Sequence, residues 1–266
     1  MTATTLPRAA LAAFVSIGSF AINLFAAVGR VTRFAVLGLW RGLLPPYYPA
    51  RLFEQFAQLG WLSLPVVGLT AVFTGAALAQ QIYTGGSRFN AESTVPAIVV
   101  IGMVRELAPV LAGLMVAGRV SSAMAAELGT MRVTEQLDAM VTLRTDPYRY
   151  LVAPRIVASV IALPLLVLIA NAIGIMGGWL LATLKLGFNS ANYLATTRQY
   201  LETDDLVMSL VKAAVFGFFI ALMGCYHGFN SSGGAAGVGR ATTNAVVSAF
   251  ILILLSNLIL TVIAFG

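Results

Sequence analysis

The sequence predicts an all-α integral membrane protein, and two compositional facts and one pattern carry that expectation. Of 266 residues, 59% are hydrophobic and only 10% are charged, against about 25% charged in a soluble globular domain. Mean hydropathy is +0.90. Five charge-poor apolar runs recur along the chain, and a membrane span needs about 20 such residues. So few polar residues cannot cover a water-facing surface. The same apolar richness excludes intrinsic disorder.

The N-terminal stretch 9–29 carries no charge, but Ser16, Gly18, Ser19 and Asn23 dilute it, and Arg30, Arg33 and Arg41 follow. It fits a span and a helix lying in the membrane interface about equally well. A cleaved signal peptide fits less well, because the apolar region is long and leads into more basic helix. The first clear span is placed at 61–83, inside an uncharged run. The second is 93–118, interrupted by Arg105 and Glu106. The third is 156–184. The fourth starts near 213 and is expected to end near Cys225, ahead of a Gly/Ser-rich turn, GFNSSGGAAGVGR (228–240). The fifth is 241–266.

Net charge is +6, which in this setting reflects basic flanks of membrane helices. No basic run is interleaved with aromatics, so nucleic acid is not an expected partner. Eleven of the 16 Lys and Arg fall on one set of flanks (Arg8, Arg30, Arg33, Arg41, Arg51, Arg119, Arg132, Arg144, Arg149, Arg155, Arg240). Arg88, Lys185, Arg198 and Lys212 fall on the other, with Arg105 inside a span. The richer side is expected to be cytoplasmic. The 119–155 loop then faces the cytoplasm, and the 185–212 loop and the C-terminus face outward.

Several chemistries find no support. There is no G-x-x-x-x-G-K-[ST] phosphate loop, so any ATP-driven work needs a second chain. The single cysteine, Cys225, reads as a small packed hydrophobe. With one Cys and one His (His227), neither a zinc site nor a nucleophile–base pair is expected, and His227 reads as interfacial.

Two segments stand out. Within 117–155, residues 130–142 suit a short amphipathic helix with Met131, Val133, Leu137 and Met140 as its apolar stripe. Thr134 is placed to hydrogen-bond locally, and Asp146-Pro147 is expected to end the helix. Such a helix either lies on the bilayer or docks a cytoplasmic partner. The second segment is Arg105-Glu106, placed near mid-span. An ionisable residue there costs at least about 2.5 kcal/mol, and adjacent helix positions point about 100° apart, so the two do not neutralise each other. Pro109 clashes with the carbonyl of residue 105 and predicts a kink. The pair is either a structural ion pair with another helix or the polar wall of a cavity, with Arg105 attracting an anionic headgroup.

Small residues (Gly113, Ala117, Gly118, and the G-x-x-x-G of Gly174 and Gly178) allow a tight bundle or a dimer. Glu202, Asp204 and Asp205 read as a solvated acidic end or a partner contact. Gln80, Gln81 and Tyr83 suit a cavity lining or an interface anchor.

The run VRELAPVLAGLMVAGRVSSAMAAELGTMRVTEQLDAM (104–140) closely resembles the signature of MlaE/YrbE permeases, the membrane subunits of ABC transporters that work with MCE-domain proteins. The likeness extends through DPYRYLVAPR (146–155), LPLL (163–166, taken as a turn) and GRATTNAVVSAF (239–250). It covers nearly the whole chain and is weakest over the first 50 residues.

The resemblance implies a single permease domain over 1–266. Residues 1–52 would form an N-terminal interfacial helical region and 53–266 a bundle of about five transmembrane helices with a cytoplasmic coupling helix. It further implies a homodimer in the bacterial inner membrane, multi-pass and non-catalytic. Each subunit would bind a cytoplasmic P-loop ATPase that carries the ATP and Mg, and a periplasmic MCE-domain protein would cap the outer face. There is room for a small cytoplasmic accessory subunit. Phospholipid would move between inner and outer membranes, with Arg105, Glu106, Leu78, Gln81, Tyr83 and Phe89 at the lipid cavity. The coupling segment corresponds to about 127–145, with Glu127, Met131, Arg132, Glu135 and Asp138 as ATPase contacts. Sterol or another hydrophobic cargo is the alternative within the family. A stand-alone secondary transporter would be expected to carry more intramembrane carboxylates than Glu106 alone, and a lipid enzyme needs a positioned nucleophile that the sequence lacks.

Overall fold

The structure, a computed structural model, describes residues 8–265 apart from 43, 46 and 90, with side chains described from 18 onward except at 20, 89 and 265. Among these residues there is no strand. The helices are α1 (Arg8–Gly42), α2 (Pro49–Gly86), α3 (Glu92–Val133), α4 (Gln136–Thr142), α5 (Tyr148–Leu184), α6 (Ser190–Tyr200), α7 (Thr203–Phe229) and α8 (Gly234–Phe265). Six of them are long and apolar enough to cross a membrane. The sixth is Ala21–Gly42 of α1, which overlaps only the end of the 9–29 stretch for which the sequence leaves span and interface open.

The helices outrun the spans drawn from charge-free runs. The α3 helix has 42 residues, about 63 Å at 1.5 Å per residue, against a hydrocarbon layer about 30 Å thick. It continues past residue 118 to Val133, so Arg105 and Glu106 lie about a third of the way along it. Residues 119–129, expected as loop, are helix. Likewise α7 starts at Thr203, not 213, and continues past Cys225 to Phe229. The Gly/Ser-rich turn shrinks to the residues around Gly233 (φ 87°) and Gly234 (φ 67°), and GAAGVGR opens α8.

Prolines shape the helices without ending them. Pro65 and Pro164 sit inside α2 and α5, so LPLL is helix and not a turn. Proline lacks an amide hydrogen and clashes with the carbonyl four residues back. Ahead of Pro109 and Pro154 the chain relieves this with wide π-helical turns, Met103–Leu107 and Tyr148–Val152. Ala108 N–H then reaches Met103 O, and Ala153 N–H reaches Tyr148 O, five residues back. The widening accommodates the two prolines without ending either helix.

Close packing rests on small residues, since in lipid no hydrophobic force separates helix from solvent and contact must come from backbone approach. At the crossing of α2 and α5, a methyl group on Gly75 would overlap the carbonyl of Gly174, and one on Gly177 would overlap that of Val72. The glycine motif at 174 and 178 therefore serves contacts within the chain. The α7 helix approaches α5 and α3 the same way, with Gly217 on Ser159 and Gly228 on Leu128. The α8 helix offers a stripe of Ala241, Ala245, Ala249 and Ile253, all buried.

Helix α1 meets this bundle near its C-terminal end. Phe34 sits among Tyr148, Tyr226 and Phe229, with ring centroids 5.3, 5.6 and 5.5 Å away. Gly38 lies on Val152, and Gly42 on Ala153.

Replacing Gly177 with Ala is expected to cost about 1–3 kcal/mol, because the added methyl meets backbone that cannot swing away. Gly60→Ala, which meets nothing within 4 Å, is expected to hold or gain stability. Thermal unfolding of the two variants in detergent checks the pair. Equal melting temperatures would refute the close-approach account.

Candidate functional site

Arg105 and Glu106 project from the wide turn of α3 toward different helices, as their 100° separation requires. Arg105 Nε donates to Asp205 Oδ1 on α7 at 2.8 Å. Asp205 is 3% exposed and the Arg105 side chain 32%. Glu106 is held by three groups. Lys212 of α7 and Thr261 of α8 donate to Oε1 at 2.9 and 2.8 Å, and Asn257 of α8 donates to Oε2 at 2.7 Å.

Lys212 organises this cluster. Its side chain is fully buried, and all three ammonium hydrogens have acceptors: Glu106 Oε1, Thr261 Oγ at 2.8 Å, and the backbone carbonyl of Arg105 at 2.8 Å. That carbonyl is the one Pro109 cannot serve, having no N–H to offer four residues on. The kink and the buried cation therefore solve each other's problem. An orphaned carbonyl gains a charged donor, and an ammonium stripped of water gains a third partner.

The sequence reading had placed Lys212 on an outer flank and Asp205 in a solvated acidic end; both are buried in the bundle. They were missed because charges were taken to mark the ends of spans. The available signal was spacing. Asp205, Ser209 and Lys212 recur at i, i+4 and i+7 on α7, and Asn257 and Thr261 at i, i+4 on α8, so each set shares one face. Ser209 also receives a hydrogen bond from buried Asn171 of α5 at 3.1 Å.

The remaining lipid-cavity candidates do not join this cluster through any described contact. Leu78 is half-buried beside Gly102. Tyr83 stands edge-on to Phe188, centroids 6.0 Å apart. Gln81 is exposed, and the side chain of Phe89 lies outside the described residues. The arrangement offers a partly open guanidinium backed by a neutralised polar wall. Among the described residues no group of three or more His, Cys, Asp or Glu could hold a metal ion. Cys225 is fully buried, and His227 is half-buried against Ser248 at 3.1 Å.

The coupling segment is broken where one helix was expected over 130–142. The α3 helix stops at Val133, and Glu135 takes a left-handed conformation (φ 60°) as α4 begins. Thr134 Oγ bonds back to Thr130 O at 2.9 Å. Leu137 is buried, Met131 and Met140 are half-buried, and Val133 is exposed, so the apolar stripe holds only in part. The helix ends at Thr142 through left-handed Arg144 (φ 58°), with Thr145 N–H on Met140 O at 2.9 Å and Arg144 N–H on Val141 O at 3.0 Å. This is the Schellman pattern. Asp146 therefore does not end α4. It receives Tyr148 N–H at 3.0 Å at the start of α5 and pairs with Arg41 at 3.3 Å.

Of the coupling candidates, Arg132 and Asp138 bond to each other at 2.8 Å. Glu127, itself 53% exposed, pairs at 2.7 Å with Arg155, an arginine 2% exposed. Glu135 is exposed. Arg155 was read from the sequence only as a flank charge.

The family profile described as Permease MlaE matches residues 52–263. The chain belongs to the MlaE permease family. A probable ABC transporter permease protein of Rickettsia bellii is 52% identical over 92% of this chain and 95% of its own length. The intermembrane phospholipid transport system permease protein MlaE of Haemophilus influenzae is 34% identical over 95% and 98%. The chloroplastic protein TRIGALACTOSYLDIACYLGLYCEROL 1 of Arabidopsis thaliana is 34% identical over 84% and 68%. As an MlaE permease, the chain is a multi-pass membrane protein and an ABC transporter permease.

Lys212→Met is expected to destabilise the MlaE fold by about 3 kcal/mol, the low end for breaking a buried ion pair, because Glu106 is 38% exposed. The double variant Glu106→Gln/Lys212→Met removes the stranded carboxylate and is expected to recover part of that loss. Unfolding in detergent orders the three proteins. A double variant less stable than the single one would refute the pairing.

Proposed function

We propose that this permease moves phospholipid between the inner and outer membranes of a bacterium. It sits in the inner membrane as a homodimer, with 1–266 as one domain. A cytoplasmic P-loop ATPase holds the ATP and Mg and supplies the energy, so the permease itself carries out no chemistry. An MCE-domain protein covers the opposite face, and a small cytoplasmic accessory subunit completes the assembly.

The observation that carries this reading is the cluster around Arg105 and Glu106, taken with the kinship to a permease named for phospholipid transport. A carrier for an amphiphile needs apolar walls and a few fixed polar groups. Here one guanidinium is a third exposed and is held from behind by Asp205. The carboxylate that would repel a phosphate is occupied by Lys212, Asn257 and Thr261. Arg105 thus offers positive charge to a headgroup, while Glu106 is spent on structure.

Coupling runs through α4. Its buried Leu137 roots it in the bundle, and its exposed polar side, with Glu135 at the break, faces the ATPase. Glu127 acts within the chain, joining α3 to α5 through Arg155.

Glu135→Lys is expected to weaken association with the ATPase at least about tenfold, by analogy with charge reversal at interfaces, and to stop transport while the protein still inserts. Undiminished co-purification would remove Glu135 from the contact. The double variant Arg105→Ala/Asp205→Asn, which leaves no buried charge unpaired, is expected to lower co-purified phospholipid with the fold intact. Unchanged lipid recovery by mass spectrometry would remove Arg105 from the headgroup site.

A further inference from the structure

A second polar recess lies away from Arg105, between α1, α5 and α7. It is lined by Arg30, Arg33, Phe34, Leu37, Tyr148 and Tyr226, with Asn230 at its edge, and has a volume of about 220 Å³. Arg30 and Arg33 are three residues apart and share a face of α1. Both are exposed.

Arg41, Arg51, Arg105, Arg132, Arg149, Arg155 and Lys212 each have a carboxylate within 4 Å. Among the described residues Arg30 and Arg33 have no such ion pair, as is also true of Arg88, Arg119, Arg144, Lys185, Arg198 and Arg240, but only these two stand side by side on a recess that no carboxylate lines. Asp146, next to the lining residue Tyr148, is already shared by Arg41 and Arg149. Two like charges three residues apart, with no carboxylate in the lining, make the recess electropositive.

The recess sits where α5 begins and α7 ends. Tyrosines and arginines gather at the depth of lipid headgroups, and Phe34 and Leu37 supply an apolar floor. Beside them the outer face of α1 is bare hydrocarbon, with Phe25 75% exposed and Val36 58% exposed. We propose that this recess binds the phosphate of an anionic phospholipid from the surrounding leaflet, as a resident ligand distinct from the transported cargo. Arginine forks pair bidentately with phosphate oxygens, and the acyl chains run along α1. A zwitterionic choline headgroup would bring its cation against two guanidiniums. This site does not depend on the cargo reading, since it shares no residue with the Arg105 cluster.

The test uses the full chain, purified in detergent and stripped of lipid, with melting followed as phosphatidylglycerol or phosphatidylcholine micelles are added. Phosphatidylglycerol is expected to raise the melting temperature, while phosphatidylcholine and inorganic phosphate do not. Arg30→Gln/Arg33→Gln is expected to weaken the apparent affinity for phosphatidylglycerol about thirtyfold, each arginine near an anionic surface giving about fivefold. Arg30→Lys/Arg33→Lys keeps the charge and should fall between that variant and the wild type. Arg88→Gln, at the opposite end of the bundle, should match the wild type. A Gln pair that responds like the wild type would overturn the proposal, as would equal effects of the two lipids. A shift reproduced by inorganic phosphate would overturn the lipid assignment.

Discussion

A bilayer offers no water to a polar group that the chain leaves unserved, and the bond from the Lys212 ammonium to the Arg105 carbonyl answers that constraint. Proline at 109 frees a carbonyl at a depth where freeing one costs several kcal/mol. Lysine at 212 brings a charge that would be ruinous alone. Joined, they fix the wide turn of α3 against α7, and Glu106 ties the same point to α8 through Asn257 and Thr261. Three helices are registered by one buried cation. The headgroup candidate Arg105 takes its position from that registration, since its own backbone is the bonded group.

Apolar packing supplies the rest of the rigidity. Glycines at the crossings of α2 with α5 and of α7 with α5 and α3 bring backbones into contact. Dispersion gained there substitutes for a hydrophobic force that lipid cannot provide. The interior therefore tolerates little change in side-chain size at these points. The outer faces of α1, α2 and α8 carry large exposed apolar residues such as Phe25, Trp61 and Ile263.

Much of this was legible in the sequence because membrane helices announce themselves by composition. The five clear spans, a disturbed helix ahead of Pro109 and the packed state of Cys225 all follow from hydropathy and residue chemistry. The Arg105-Glu106 pair stood out because charge inside an apolar run demands a reason. The partners of that pair were less visible. Lys212 and Asp205 lie near a helix start, and a charge there looks like a flank unless the helix is known to begin earlier. The break at Glu135 was hidden because a left-handed residue is ordinarily expected at Gly or Asn. The ion pair of Glu127 depends on Arg155, a partner 28 residues away on another helix that no local pattern reveals.

The two left-handed residues bracketing α4 also give it a direction. Glu135 puts a carboxylate at its amino end and Arg144 a guanidinium at its carboxyl end, the order that suits the helix dipole. The short rod is thus polarised from tip to tip. A socket with the opposite sequence of charges would accept it one way round and reject it reversed, so the orientation of any engaged subunit would be written in two side chains.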